Sequence, residues 1–223
     1  MKHLILALAL ILPLSVGAYD PEHLKKLKET NECPNCDLSK ANLEKANLQG
    51  ANLQGANLQG ANLQGANLLG AFLEKAKLWK ANLKGADLNE ANLAFANLSG
   101  ANLNGANLSR VNLQWANLEG AKLWDADLTR ANLVDANLTD AYLRGANLWR
   151  ANLRGTNLWR ANLRDADLTR ANLDGANLEN ADLRSANLDG AYLKGANTKF
   201  VAMKGAILCN TTMTDGRMIY SGC

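Results

Sequence analysis

The sequence predicts an all-β solenoid: a long, four-sided coil of backbone closed at each end by a different device. Three observations point there. From Cys36 to Tyr220 the chain divides into blocks of five, such as ADLTR and ANLQG, and the last of these runs four times unchanged over residues 46–65. The middle residue is Leu almost throughout, from Leu38 to Leu193, and the residue two before it is nearly always Ala. Two pairs of Cys stand at opposite ends of the periodic stretch.

A period of five excludes the two regular elements. On an α-helix each step of five turns the Leu by about 140°, so the Leu would wrap the whole cylinder. On a flat strand an odd step sends successive Leu to opposite faces. The Leu share one interior only if the backbone turns once per block. A turn of about 90° closes after four blocks, and successive coils then pair through their backbones about 4.8 Å apart. Leu and Ala alternate as the large and small residues of a narrow square interior. Gly is frequent at the fifth position (Gly50, Gly85, Gly145), where a type II turn requires positive φ. Blocks ending in Arg, Lys or Asp are expected to use another turn.

This "A[ND]Lxx" pattern resembles the pentapeptide-repeat family, over most of the chain. The resemblance implies a right-handed quadrilateral β-helix, here a solenoid of about nine coils of four pentapeptides, roughly 45 Å long. It also implies that the small residue and the Leu point inward and the other three positions outward.

The elements follow in order. Residues 1–18 read as a secretory signal peptide. Lys2 and His3 precede an apolar run from Leu4 to Val16, and Val16-Gly17-Ala18 offers a cleavage site. That run is short beside the roughly 20 residues of a membrane span. Residues 19–35 hold a capping helix and a Cys-x-x-Cys segment. In "DPEHLKKLKET" Asp20 caps, Pro21 suits the first turn, and Leu24 and Leu27 share a face that can cover the first coil. "CPNC" has two readings, a thioredoxin-like redox pair or a disulfide pinning the helix to the coil. The second is preferred, because Cys36 already begins the first pentapeptide and no βαβ pattern surrounds it.

The solenoid occupies residues 36–208, and 209–223 form a C-terminal cap. There the repeat degrades, with Thr198, Met203, Met213 and Met218 at the middle position. The ends of a rod about 45 Å long lie beyond the roughly 7 Å Cα separation a disulfide allows. Cys33 is therefore expected to pair with Cys36, and Cys209 with Cys223. The "CPNCDL" start and the "CNTTM…SGC" ending are similar to exported cyanobacterial and thylakoid-lumen members of the family. That resemblance implies the periplasm or the thylakoid lumen.

If coils are twenty residues long, residues twenty apart stack. Two cationic columns then appear: Arg110, Arg130, Arg150, Arg170, and Arg144, Arg164, Arg184, Lys204. They flank the side that carries Leu128, Leu148 and Leu168. Like charges one coil apart repel, so the columns are a candidate surface for an anionic partner. The competing reading is that Asp125, Asp127, Asp165 and Asp167 neutralise them. All five Trp fall on outward positions. Phe95 and Trp115 share a column and are a second candidate contact, as are Phe200 and Tyr220 at the C-terminal end, a candidate homodimer seam. The alternative is that the aromatic rings merely stack on Arg.

Function classes narrow accordingly. The chain carries 24 basic and 21 acidic residues, and setting Lys2 aside with the leader brings it closer to neutral. That balance argues against bulk binding of nucleic acid. One His follows the leader, His23, with no partner set for a catalytic triad and no metal or phosphate motif. No enzyme activity and no cofactor are expected, thiol–disulfide exchange through CPNC being the one enzymatic alternative. Some family members are DNA-mimicking topoisomerase inhibitors, but they are acidic and cytosolic. The preferred reading is an exported non-catalytic scaffold, a rod that binds an unidentified protein or other anionic macromolecule and has no membrane span once the leader is gone.

Overall fold

A computed structural model describes residues 19–220 and Cys223. The expected leader lies outside the described residues. Within them, parallel backbone bridges join each second-position residue to the one twenty further on, from Glu32↔Asn52 to Tyr192↔Thr212. The coil is therefore twenty residues, with four turns and four sides. The bridged register begins slightly before Cys36 and runs slightly past Leu208.

One block shows how the backbone is satisfied. Asn107 N–H donates to Ala86 C=O of the coil before (3.0 Å). Leu108 and Arg110 N–H donate to Asp127 and Thr129 C=O of the coil after (2.7 and 2.8 Å). Val111 N–H closes the turn on Leu108 C=O (3.2 Å). The N–H of Ser109 remains, and Asn107 Oδ1 accepts it at 3.1 Å. The Asn amide in turn donates to Asp87 Oδ1 one coil earlier at 2.8 Å. This explains why the second position is Asn or Asp. It caps the one turn amide that the coil cannot pair, and Asn extends a side-chain ladder between coils.

The interior is as the period demands. The middle-position Leu from Leu53 to Leu193 are at most 1% exposed, and the first-position Ala beside them are equally buried. Thr156 replaces an Ala and is fully buried, its hydroxyl donating to Leu133 C=O at 2.8 Å.

The turns differ from expectation. Positive φ occurs at the fifth position whatever the residue: Lys40 58°, Arg110 56°, Asp125 54° and Arg150 55°, alongside Gly50 64°. Blocks ending in Arg, Lys or Asp use the same turn as blocks ending in Gly. From Asn35 to Gly195 each fifth-position amide is bonded to the next coil and each turn is closed by its own bond. Those two bonds hold a left-handed conformation that costs a non-Gly residue roughly 1–2 kcal/mol.

The helix α1 spans Pro21–Thr30. Asp20 accepts from Glu22 N–H at 2.9 Å, and Asn31 ends the helix at φ 58°. Leu27 is 1% exposed within the same core as the Leu of the first coil, with Leu24 packed against it. At the other end β1 (Thr211–Thr212) pairs antiparallel with β2 (Met218–Ile219). Both disulfides form as expected, Cys33–Cys36 and Cys209–Cys223.

The ladder makes a testable prediction. Asn112 caps Gln114 N–H at 3.2 Å and donates to Asn92 Oδ1 at 3.0 Å. Asn112→Ala is expected to cost about 1–2 kcal/mol, read as a lower urea midpoint with an unchanged slope.

Candidate functional site: the outward columns

Two structural rules place every outward side chain. Residues twenty apart stack, and the corners of the square lie at the fourth and fifth positions. The Arg110–Arg170 column follows the side of Leu128, Leu148 and Leu168, and the Arg144–Lys204 column precedes it. Their members are held in different ways. Arg110 pairs with Glu90 at 2.9 Å. Arg130 and Arg150 instead stack on the ring of Trp149, with guanidinium carbons 5.1 and 4.5 Å from its centroid. Trp149 thus carries cations from two successive coils of the column, and its electron-rich ring offsets part of their repulsion.

In the second column Arg144 Nε pairs with Asp165 Oδ2 at 3.1 Å, and Arg184 forms a fork with Asp182. The Arg184 guanidinium is the main reason that the Asp182 carboxyl is held below the ordinary carboxylate range. Arg164, between them, has its Nε buried without a hydrogen-bond partner.

Of the four acids expected to neutralise the columns, Asp165 does so. Asp127 and Asp167 instead cap the N–H groups of Thr129 and Thr169, each at 2.9 Å. Asp125 places its Oδ1 where a Cβ on Gly145 would sit, so a side chain at position 145 would have to push the Asp125 carboxylate aside. The acids that pair with Arg include Glu90 and Asp140 at fifth positions and Asp182 at a second position.

The aromatic columns are mixed in outcome. Phe95 and Trp115 stack, with centroids 4.8 Å apart and planes 14° from parallel. Other rings carry cations, Lys80 on Trp79 and Arg160 on Trp159, so stacking on basic residues accounts for part of the Trp content. Phe200 and Tyr220 are both strongly exposed at the C-terminal end. A Trp124–Tyr142 contact, with centroids 6.2 Å apart and rings at 89°, joins residues eighteen apart, a diagonal that a reading by columns passes over.

The CPNC segment is deeply placed: Cys33 is 0% and Cys36 3% exposed. Among the described residues no group of three or more His, Cys, Asp or Glu stands where it would hold a metal ion, and no helix is long and apolar enough to cross a membrane.

Among proteins of curated function, none matches the chain. A family model for pentapeptide repeats matches in eight copies, over residues 36–74, 56–93, 66–105, 86–125, 125–160 and 161–197. Among solved structures, HetL from the cyanobacterium Nostoc sp. strain PCC 7120 is 33% identical. HetL is a pentapeptide repeat protein involved in heterocyst differentiation regulation. The match covers 90% of this chain and 99% of HetL, with a TM-score of 0.50. QnrB1, a plasmid-mediated fluoroquinolone resistance protein, is 17% identical over 76% of this chain and 89% of its own, with a TM-score of 0.60, a likeness of fold. A pentapeptide repeat protein from the Arabidopsis thaliana thylakoid lumen is 31% identical over 42% of this chain and 65% of its own, with a TM-score of 0.39. A twenty-residue coil bridged from end to end, matched segment by segment to pentapeptide repeats, makes the chain a member of the pentapeptide-repeat family with that family's right-handed β-helix.

Proposed function

We propose that the chain is an exported, non-catalytic scaffold whose Arg-lined corner holds an acidic macromolecular surface. One observation carries this reading. Arg130 and Arg150 are arranged by the ring of Trp149 and not by a carboxylate, and Arg170 follows one coil on. Stacking fixes the guanidinium planes and leaves their charge and their outward N–H groups available. A column spaced about 4.8 Å apart suits a partner with repeated carboxylates or another regular anionic face.

The two disulfides support an oxidising compartment. Together with the leader read from the sequence, they favour the periplasm or the thylakoid lumen. Thiol exchange is disfavoured because an attacking thiolate needs access to a sulfur, and both Cys33 and Cys36 are buried.

Immobilised poly-L-glutamate tests the proposal. Arg130→Gln, Arg150→Gln and Arg170→Gln together are expected to lower the salt needed for elution while leaving the melting temperature within a few degrees, as exposed sites should. Elution at the same salt as the parent protein overturns the reading.

A further inference from the structure

On the side that ends at the Arg144–Lys204 corner, the Asn ladder is interrupted. The second-position column runs Asn82, Asn102, then Lys122 and Tyr142, then Asn162. The ladder bonds of Asn82 to Asn62 and of Asn102 to Asn82 (both 3.1 Å) end there. Lys122 cannot accept from the turn amide two residues on, and Asn104 Oδ1 of the preceding coil takes the Trp124 N–H instead, at 3.0 Å. The chain thus gives up its own repeat at the place where Trp124 and Tyr142 meet edge to face.

A cleft of about 550 Å³ opens at that point, lined by Trp124, Tyr142, Arg144, Asp125, Asn162 and Asp165. Its volume falls within the roughly 300–1,000 Å³ of small-molecule sites. Trp124 is 46% and Tyr142 43% exposed, so both rings present apolar surface to solvent. The lining also supplies both donors and acceptors. Arg144 donates, Asp125 and Asp165 accept, and the Asn162 amide does both. Arg144 and Asp165 are already paired at 3.1 Å.

We propose that this cleft binds an uncharged saccharide. A sugar ring offers a C–H face to an aromatic ring and a rim of hydroxyls, each of which both donates and accepts, matching the mixed donors and acceptors around Trp124 and Tyr142. An anionic ligand meets two carboxylates, Asp125 and Asp165. A cationic ligand has no use for Arg144. An extended peptide would dock by adding to backbone edges, but the backbone of this side is already bonded coil to coil, with Leu123 N–H on Tyr142 C=O and Tyr142 N–H on Ala121 C=O. Recognition here falls to side chains alone. The cleft is separate from the Arg130–Trp149–Arg150 stack, so the proposal stands or falls apart from the acidic-partner reading.

The test is a titration of the protein, read by isothermal titration calorimetry, with three neutral probes: the linear hexasaccharides of α-1,4-glucose, β-1,4-glucose and β-1,4-xylose. A galacturonate hexamer is the anionic control. Trp124→Gln with Tyr142→Asn installs the pair found eighteen residues apart at Gln64 and Asn82, so this variant is expected to keep the parent circular dichroism and melting temperature. At least one neutral probe is expected to bind with a dissociation constant of about 1 mM or tighter, and the double variant to bind it at least about tenfold more weakly. The proposal is overturned if none of the three neutral probes binds, if the double variant binds equally well, or if the galacturonate hexamer is preferred.

Discussion

Leu103→Asp is expected to abolish the cooperative unfolding transition of the central coils. Leu103 is fully buried, and its coil-mates Leu98, Leu108 and Leu113 fill the same square cross-section. The substitution removes about 1.5–3 kcal/mol of side-chain burial. It also places a carboxylate where each neighbouring backbone group is already committed. Leu103 N–H donates to Lys122 C=O at 2.7 Å, and Ala106 N–H to Leu103 C=O at 3.0 Å. No cation can enter from outside, because basic residues occupy only the outward positions. A total of about 5 kcal/mol or more follows, comparable with the whole stability of many domains. The same expectation holds for Leu123→Asp. Hydrogen exchange over residues 83–123 reads the loss directly, and the outward substitution Gln64→Asp should change stability by no more than about 0.5 kcal/mol.

The second large effect concerns the N-terminal end and differs in kind. Leu27→Asp is expected to uncover the first coil without melting the rod. In a solenoid each repeat contacts only its neighbours, so damage stays local. The cap is stitched on by more than Leu27. His23 Nδ1 accepts from Asp37 N–H at 3.0 Å, taking a donor that has no earlier coil to bond. Asn31 Nδ2 donates to Gln49 C=O at 2.8 Å, and Asp20 N–H donates to Asp37 C=O at 3.2 Å. With a charge at position 27 the helix lifts and Leu38, Leu43 and Leu48 face water beside unpaired strand edges. Such an edge templates association. Sedimentation velocity is expected to show concentration-dependent oligomers, and hydrogen exchange to show lost protection over residues 19–57 with residues 90–190 unchanged. A monomer with full protection at the N-terminal end contradicts the capping role.

The interior was legible in the sequence because a period of five leaves the Leu one arrangement in which they share a core. The bridge from Asp127 to Asn147, and its like along the rod, is the direct consequence of that arithmetic. The turns were less legible. Lys40, Arg130 and Asp165 sit at positive φ, against their local preference, because the hydrogen bonds of the coil outweigh it. Propensity favours Gly there, but context decides. The Arg columns could be placed from the sequence, whereas their partners could not. The stacking of Arg130 and Arg150 on Trp149 depends on where a ring at the fourth position leans. The Trp124–Tyr142 cleft was missed for a related reason. Fourth-position residues reach second-position residues eighteen further on, as Gln64 Oε1 also does in accepting from Asn82 at 3.2 Å. The signal was present as Lys122 and Tyr142, two consecutive breaks in a column otherwise dominated by Asn.

The central claim is that the repeat is an interchangeable core and that function lies in outward columns set by a twenty-residue register. Inserting one ANLQG block after Gly145 leaves every inward position filled, yet it turns Arg150 and Arg170 onto the next corner, away from Arg110 and Arg130. Four such blocks, one full coil, keep the column on a single corner. The decisive measurement is the salt required to elute the single-block protein from poly-L-glutamate, compared with the four-block protein of near-parent melting temperature. The account predicts earlier elution for the single block at equal stability. Equal retention of the two, or unfolding of the single-block protein, contradicts it.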